Sequence, residues 1–330
     1  MNLKHLLTLL LALLLLQSCS SDDPIVTPDE PSICFTDGYG LFVNGNDGIV
    51  INGLAKIYRL NATNGQLYIY AQDGNGNFVI WHNDQFQVIN PPEDTDKFTP
   101  GMDNGNVYFL IGSQYFDTYY SIIGMPNGKK FQLPKVDGAF PQHCAVHGDE
   151  CFASGFVERS LRVPDAEPGA IVWVNGKVIR LSTDYSVNIW AINGWHEHYY
   201  AVGPYDITNT DIGNVTWSRM GYWRDGELQE LDKRDSNKAV PHDIQMHGST
   251  PIIYGYLSYD NTEHRACVWI DGKFADLSQG RDSEVKTVKS TGDDWYAFVK
   301  DFSDNKFYVW RSGKLYKTFT VYNVTGYAVY

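Results

Sequence analysis

Apolar and polar residues alternate along this chain in short runs rich in Val, Ile, Tyr and Phe, and turn residues separate the runs. Ile244–Met246, Ile252–Leu257, Ala266–Ile270 and Lys273–Leu277 are four such runs in succession. Alternation with a period of two puts one set of side chains on each face of a strand. No segment of useful length carries the 3.6-residue period of an amphipathic helix. The pattern therefore predicts an all-β protein of short antiparallel strands.

The turns repeat. A Trp-x-Asn/Asp-Gly turn occurs at Trp173–Gly176, Trp223–Gly226 and Trp269–Gly272. Trp310–Gly313 and Trp81–Asp84 are variants, and Met125–Gly128 and Phe42–Gly45 are looser ones. Their fourth positions (45, 84, 128, 176, 226, 272 and 313) lie 39 to 50 residues apart. A second turn falls between them, read at Asn64-Gly65, Asn104-Gly105, His147-Gly148, Asn193-Gly194, His247-Gly248, Thr291-Gly292 and Thr325-Gly326. Gly, then Asn, best tolerates the positive φ of a tight hairpin. Two turns per unit mean four strands per unit, and four-stranded units at this spacing predict propeller blades.

The two turn series are out of phase at the chain ends, and a ring resolves the mismatch. Strands near 318–330 are expected to join strands near 39–51, two plus two, in one composite blade of a seven-bladed β-propeller. Six blades is the alternative, if the Phe42 unit is only an extra strand. The repeated Trp residues are expected to pack between blades. So are Leu133, Leu181, Leu231, Leu277, Ile89 and Val50, which stand near the fifth position after each turn.

The first residues follow a different rule. Lys4 and His5 precede an apolar run, Leu6 to Leu16, that is too short to span a bilayer. Leu16-Gln17-Ser18-Cys19 has the form of a bacterial lipobox, and Ser20-Ser21-Asp22-Asp23 follows. This start resembles the surface lipoproteins of the Bacteroides group. The resemblance covers only the leader and tether, and implies cleavage before Cys19, lipidation of Cys19 and anchoring at the outer membrane, facing outward or toward the periplasm. The expected organisation is a signal peptide over 1–18, a lipidated tether over 19–33 and one propeller over 34–330. A Pro- and Asp-rich segment such as Asp22–Pro31 has too little apolar surface to fold.

The net charge of -13 argues against a nucleic-acid partner, which needs a basic stripe. Cys144 and Cys151 are expected to face each other across the His147-Gly148 turn, where a disulfide is conceivable but uncomfortable. There is no CxxC pair, no zinc spacing and no cofactor motif, and a monomer is expected.

The turns after strands one and three are tight and share one face of the ring. The opposite face carries the longer connections, Phe156–Gly169, Pro204–Met220, Asp232–Val240 and Leu257–His264, and is the candidate binding face. Counting six back from each second-turn Gly gives Arg59, Thr99, Gln142, Asn188, His242, Lys286 and Thr320 at the channel mouth. His143 and Asp243 stand one further along. These residues suit a small polar ligand, and Tyr115, Tyr119, Tyr205 and Trp217 on the long connections suit stacking on sugars.

Two motifs read more simply as turns. Asp73–Asn77 lacks the central Gly of a calcium loop, and His196-Glu197-His198 fits an exposed hairpin edge. A glycosidase needs two carboxylates at a set separation. Asp243 is the only one expected at the mouth, with Asp137, Asp184 and Glu284 on adjoining loops. The expected function is a non-catalytic binding module for a glycan, a peptide or a partner protein. A carbohydrate-active hydrolase or lyase and an envelope assembly scaffold are the alternatives.

Overall fold

Four-stranded antiparallel sheets repeat along the chain and close into a seven-bladed β-propeller in a computed structural model. It describes residues 30–330 except 47, 94, 96, 98, 99, 104, 112–119, 159–163, 184–186, 212–213, 261–262 and 305. The side chains of 206–211, 214–218 and 260 also lie outside the described set. Cys19, Tyr115, Tyr119, Thr99 and Asp184 are therefore outside it, as are the leader and most of the tether. No helix occurs among the described residues.

Blade two spans Leu54–Ile89, blade three Gly101–Gln132, blade four Ala139–Arg180, blade five Ala191–Glu230, blade six Lys238–Asp276 and blade seven Ser283–Thr320. In each, the first strand is innermost, and each first strand touches that of the next blade. Blade one seals the ring. Its innermost strand is Gly326–Val329, paired with Ile33–Thr36, which pairs in turn with Leu41–Val43. A single bridge from Leu41 to Ile49 stands where the fourth strand would be. The chain's far end thus contributes one strand and its near end the rest, so the closure is not two plus two. Thr325-Gly326 stands where the innermost strand begins, not where it ends. Gly326 is the first residue of that strand, opposite Thr36.

Seven apolar clusters hold the ring, and each draws from two neighbouring blades. Trp173, Trp223 and Trp269 are almost fully buried in three of them. Two of these indoles also clip the preceding blade. Trp173 Nε1 donates to Pro134 O at 2.9 Å, and Trp269 Nε1 to Asp232 O at 2.8 Å. Trp310 is buried too, but its Nε1 has no partner. Leu133, Leu231, Leu277 and Ile89 are buried and Leu181 is partly so, as expected of interblade residues. Val50 is 71% exposed, because blade one lacks a full outer strand to turn it inward.

The Asn or Asp of the repeated turn does more than adopt positive φ. Asn175 N donates to Cys151 O, and its Oδ1 accepts from Cys151 N, both at 2.8 Å. Asn44 makes the same two bonds with Ile33, and Asp225 with Tyr199. A short side-chain acceptor extends the ladder by one pair beyond the turn. In blade six Asp271 makes only the first of these bonds, because its opposite residue, Pro251, has no N–H.

The inner hairpins do not all slip the same way. Asn64-Gly65 is the turn between Thr63 and Gln66, but in blade four the turn is Gly148-Asp149, between His147 and Glu150. Cys144 therefore opposes Ala153 and Cys151 opposes Val146, and both thiols are free. Asn193-Gly194 is no turn. Both residues lie in the inner strand of blade five, where a Cβ on Gly194 would stand 2.2 Å from the Phe152 ring. The turn there is His196-Glu197. Asp73–Asn77 is a turn closed by Asp73 Oδ1, which accepts from Asn75 N and Asn77 N.

Replacing Trp269 with Ala removes a large side chain and one clip, and is expected to cost about 3–5 kcal/mol in urea unfolding. Tyr39→Ala, at a 66% exposed position, is the control and should stay within about 0.5 kcal/mol.

Candidate functional site

The inner strands of four blades carry a β-bulge at one place. The register skips Tyr58 in blade two, Gln142 in blade four, His242 in blade six and Lys286 in blade seven. A bulge puts two residues opposite one and turns the next side chain. In blades four and six the opposing strand makes room with a glycine. A Cβ on Gly155 would lie 2.3 Å from Phe140 O, and one on Gly255 2.0 Å from Val240 O. A Cβ on Gly203 would lie 2.1 Å from Asn188 O in the same way, so blade five follows the pattern, with Trp190 where the others have Gln142 and His242.

The residues after the bulges are the structural equivalents of one another: Arg59, His143, Ala191, Asp243 and Thr287. Each lines one or both of two cavities that share wall residues. A chamber of about 600 Å³ at the mouth is bounded by Arg59, Gln142, His143, Trp190, His242 and Asp243, among others. It shares Arg59, Cys144 and Asp243 with a narrower stretch of about 160 Å³, lined also by Asn61, Gln245, Tyr254, Thr287 and Lys289. The first strand of blade three, Gly101–Asp103, is short, so Tyr108 and Leu110 from its second strand reach the chamber wall.

The charged groups lining this narrower stretch are Arg59, Asp243 and Lys289, all half-buried. Asp243 Oδ1 accepts from Ile244 N at 2.7 Å, and its Oδ2 accepts from Tyr254 Oη at 3.3 Å. Burial raises the Asp243 carboxyl above its ordinary range, against the lowering pull of Ile244 N–H, Arg59, Lys289 and His143. Burial also pushes the Lys289 ammonium down to about 8, helped by Arg59 and opposed by Asp243. The His143 imidazole is lowered by burial, with Asp243 pulling the other way. Burial, then the Asp243 charge, raises the Tyr254 phenol well above its usual value. These groups share a partly dehydrated space, where charges interact more strongly than in bulk water.

Other expected residues fall elsewhere. Lys286 forms an ion pair with Glu284, and His242 Nε2 stands 3.7 Å from the same carboxylate. His242 Nδ1 also lies 3.1 Å from Val285 O, with Tyr256 edge-on to its ring. His242 is thus a rim residue, and neither Lys286 nor Glu284 lines the chamber. Asn188 Oδ1 accepts from its neighbour Ile189 N and is likewise outside the lining. Asp137 pairs with Lys135 at 3.4 Å. Asp243 is the only carboxylate among the described lining residues.

Two of the four long connections are strands. Pro204–Met220 belongs to a hairpin of His198–Asp211 with Asn214–Arg224, and Leu257–His264 to one of Thr250–Asp260 with Glu263–Ile270. Their Val, Thr and Tyr content continues the ladder where a loop was expected. Tyr205 opposes Arg219, packs against the cluster between blades four and five, and hydrogen-bonds Glu230. It lines neither cavity. Trp217 opposes Ile207 in the same hairpin, and its side chain is outside the described set.

Tyr254, Lys289 and Trp190 were not expected at the site. Lys289 follows Thr287 by two residues on the same strand face, a signal the sequence holds once Thr287 is placed. Tyr254 comes from a second strand, where no count along first strands finds it.

No protein-family model and no curated protein matches the chain. Among solved structures, its fold is similar to that of the tricorn protease, with a TM-score of 0.55 and 11% identity over 91% of this chain and 34% of that one. The acylaminoacyl peptidase of Pyrococcus horikoshii gives 0.47 and 14% over 80% of this chain and 46% of that one. The β-propeller domain of the Trilobed protease from Pyrococcus furiosus gives 0.47 and 14% over 79% and 82%. The chain spans less than half the length of the first two proteins. At these identities the likeness is one of fold.

Proposed function

We propose that this propeller is a non-catalytic binding module that admits a small polar ligand, or one unit of a glycan or peptide, into the mouth of its channel. The observation that carries this reading is the 600 Å³ chamber, into which Arg59, Gln142, His143, Trp190, His242 and Asp243 converge from four blades. Concave sites with a few convergent polar groups and an aromatic wall are the usual form of small-ligand sites. A hydrolase would need a partner for Asp243, and the nearby Glu284 is engaged by Lys286 and His242.

Glycan and peptide arrays probed with the wild-type protein should return a ligand whose binding weakens about tenfold or more in Trp190→Ala, since buried aromatic anchors dominate such sites. The bound ligand should be recovered intact after long incubation. Binding that ignores Trp190→Ala moves the site off the channel, and an accumulating cleavage product replaces the module with an enzyme.

The module is also proposed to be held at the bacterial outer membrane by acyl chains on Cys19, in line with the lipobox-like Leu16–Cys19 segment. Cells fed a labelled fatty acid should label the wild-type chain and not Cys19→Ser. Equal labelling of the two would remove the anchor.

A further inference from the structure

The channel holds an unusual balance of charge. Arg59 and Lys289 face it from blades two and seven; neither side chain makes a hydrogen bond or a close ion pair with a described group, and Asp243 attracts both only at longer range. The one facing carboxylate, Asp243, already accepts from Ile244 N and Tyr254 Oη. With Asp243 ionised, the Arg59 and Lys289 charges leave one positive charge in excess. Half-buried cations that share one carboxylate at longer range forgo both full hydration and close pairing, an arrangement that costs stability unless something else fills it.

We infer that the channel binds the carboxylate of a uronic acid unit, held by Arg59 and Lys289, with the sugar ring against Trp190 at the mouth. Three features select this chemistry, given the binding role proposed above. A single excess positive charge suits a monoanion and not a phosphate dianion. A planar guanidinium pairs a carboxylate through two parallel bonds, and the Lys289 ammonium adds a third donor. Asp243 retains acceptor capacity for a ligand hydroxyl, which a simple carboxylic acid lacks. The mouth chamber is large enough for a sugar ring, and Trp190 lines it.

The inference predicts a pH dependence with a definite sign. The charged and titratable groups lining the site are Arg59, Tyr108, His143, Cys144, His147, His242, Asp243, Tyr254 and Lys289. Of these, Lys289 loses its proton near pH 8, which cancels the excess charge. Affinity should therefore hold from pH 6 to 7 and fall as pH rises through 8.

The test is calorimetric titration of the full chain with glucuronate, galacturonate and, as controls, glucose and inorganic phosphate. At least one uronate should bind at pH 7 about tenfold or more tightly than glucose and than phosphate. Arg59→Gln and Lys289→Met should each weaken that uronate about tenfold or more, with cooperative thermal unfolding kept at or above the wild-type midpoint to show that both fold. Lys289→Met should also abolish the fall above pH 8. Equal affinity for uronate and glucose, tighter binding of phosphate, or uronate binding unaffected in both variants overturns the inference. Glucose or a neutral glycan that binds and depends on Trp190 would leave the channel module standing while this assignment fails.

Discussion

The contact between neighbouring blades is the constraint on which the rest depends. A single four-stranded sheet has two apolar faces and cannot bury either alone, so each blade is stable only against two others. Seven clusters do this work, and the ring exists because the last of them, built from Ile33, Phe35 and Val329 against Phe298 and Phe307, brings both ends of the described ring together. The Trp residues of the repeat sit in these layers, where a large side chain buries most and where its N–H can reach a carbonyl of the preceding blade. Once the layers fix the blades, the inner strands are held side by side, and whatever they turn inward becomes the channel.

What they turn inward is set by a local irregularity. Regular alternation would put every second residue of each inner strand toward the axis. The bulges at Tyr58, Gln142, His242 and Lys286 interrupt it at one level. In blades four and six a glycine on the second strand admits the displaced backbone. The result separates two populations. Bulged residues lie at the rim, where His242 and Lys286 meet Glu284, and the residues that follow them face the channel. Arg59, His143, Asp243 and Thr287 thus share one level although they come from four blades.

Much of this was legible in the chain. The period of the Trp turn yields seven blades, and the packing role of Trp173, Trp223 and Trp269 follows from their fixed place before it. The mouth was legible to within a residue and no better. Counting back from Gly assumed that Gly occupies the same turn position in every blade, yet it is second in Asn64-Gly65 and first in Gly148-Asp149. In blade five the count began at Asn193-Gly194, inside a strand, and so reached Asn188 where Trp190 was two residues on. Gly194 is glycine because Phe152 leaves no room for a Cβ, a tertiary reason that resembles a turn signal in sequence. Tyr254 was hidden for a different cause: it reaches the channel beside Asp243 from the next strand.

The account stands on Lys289 and Arg59 sharing an enclosed channel with Asp243. Titration of the Lys289 side chain by heteronuclear NMR, in the wild type and in Arg59→Gln, tests this directly. The account predicts a midpoint of about 8 for the wild type and a higher one when the neighbouring guanidinium is removed. A wild-type midpoint at the ordinary lysine value, unmoved by Arg59→Gln, would contradict it.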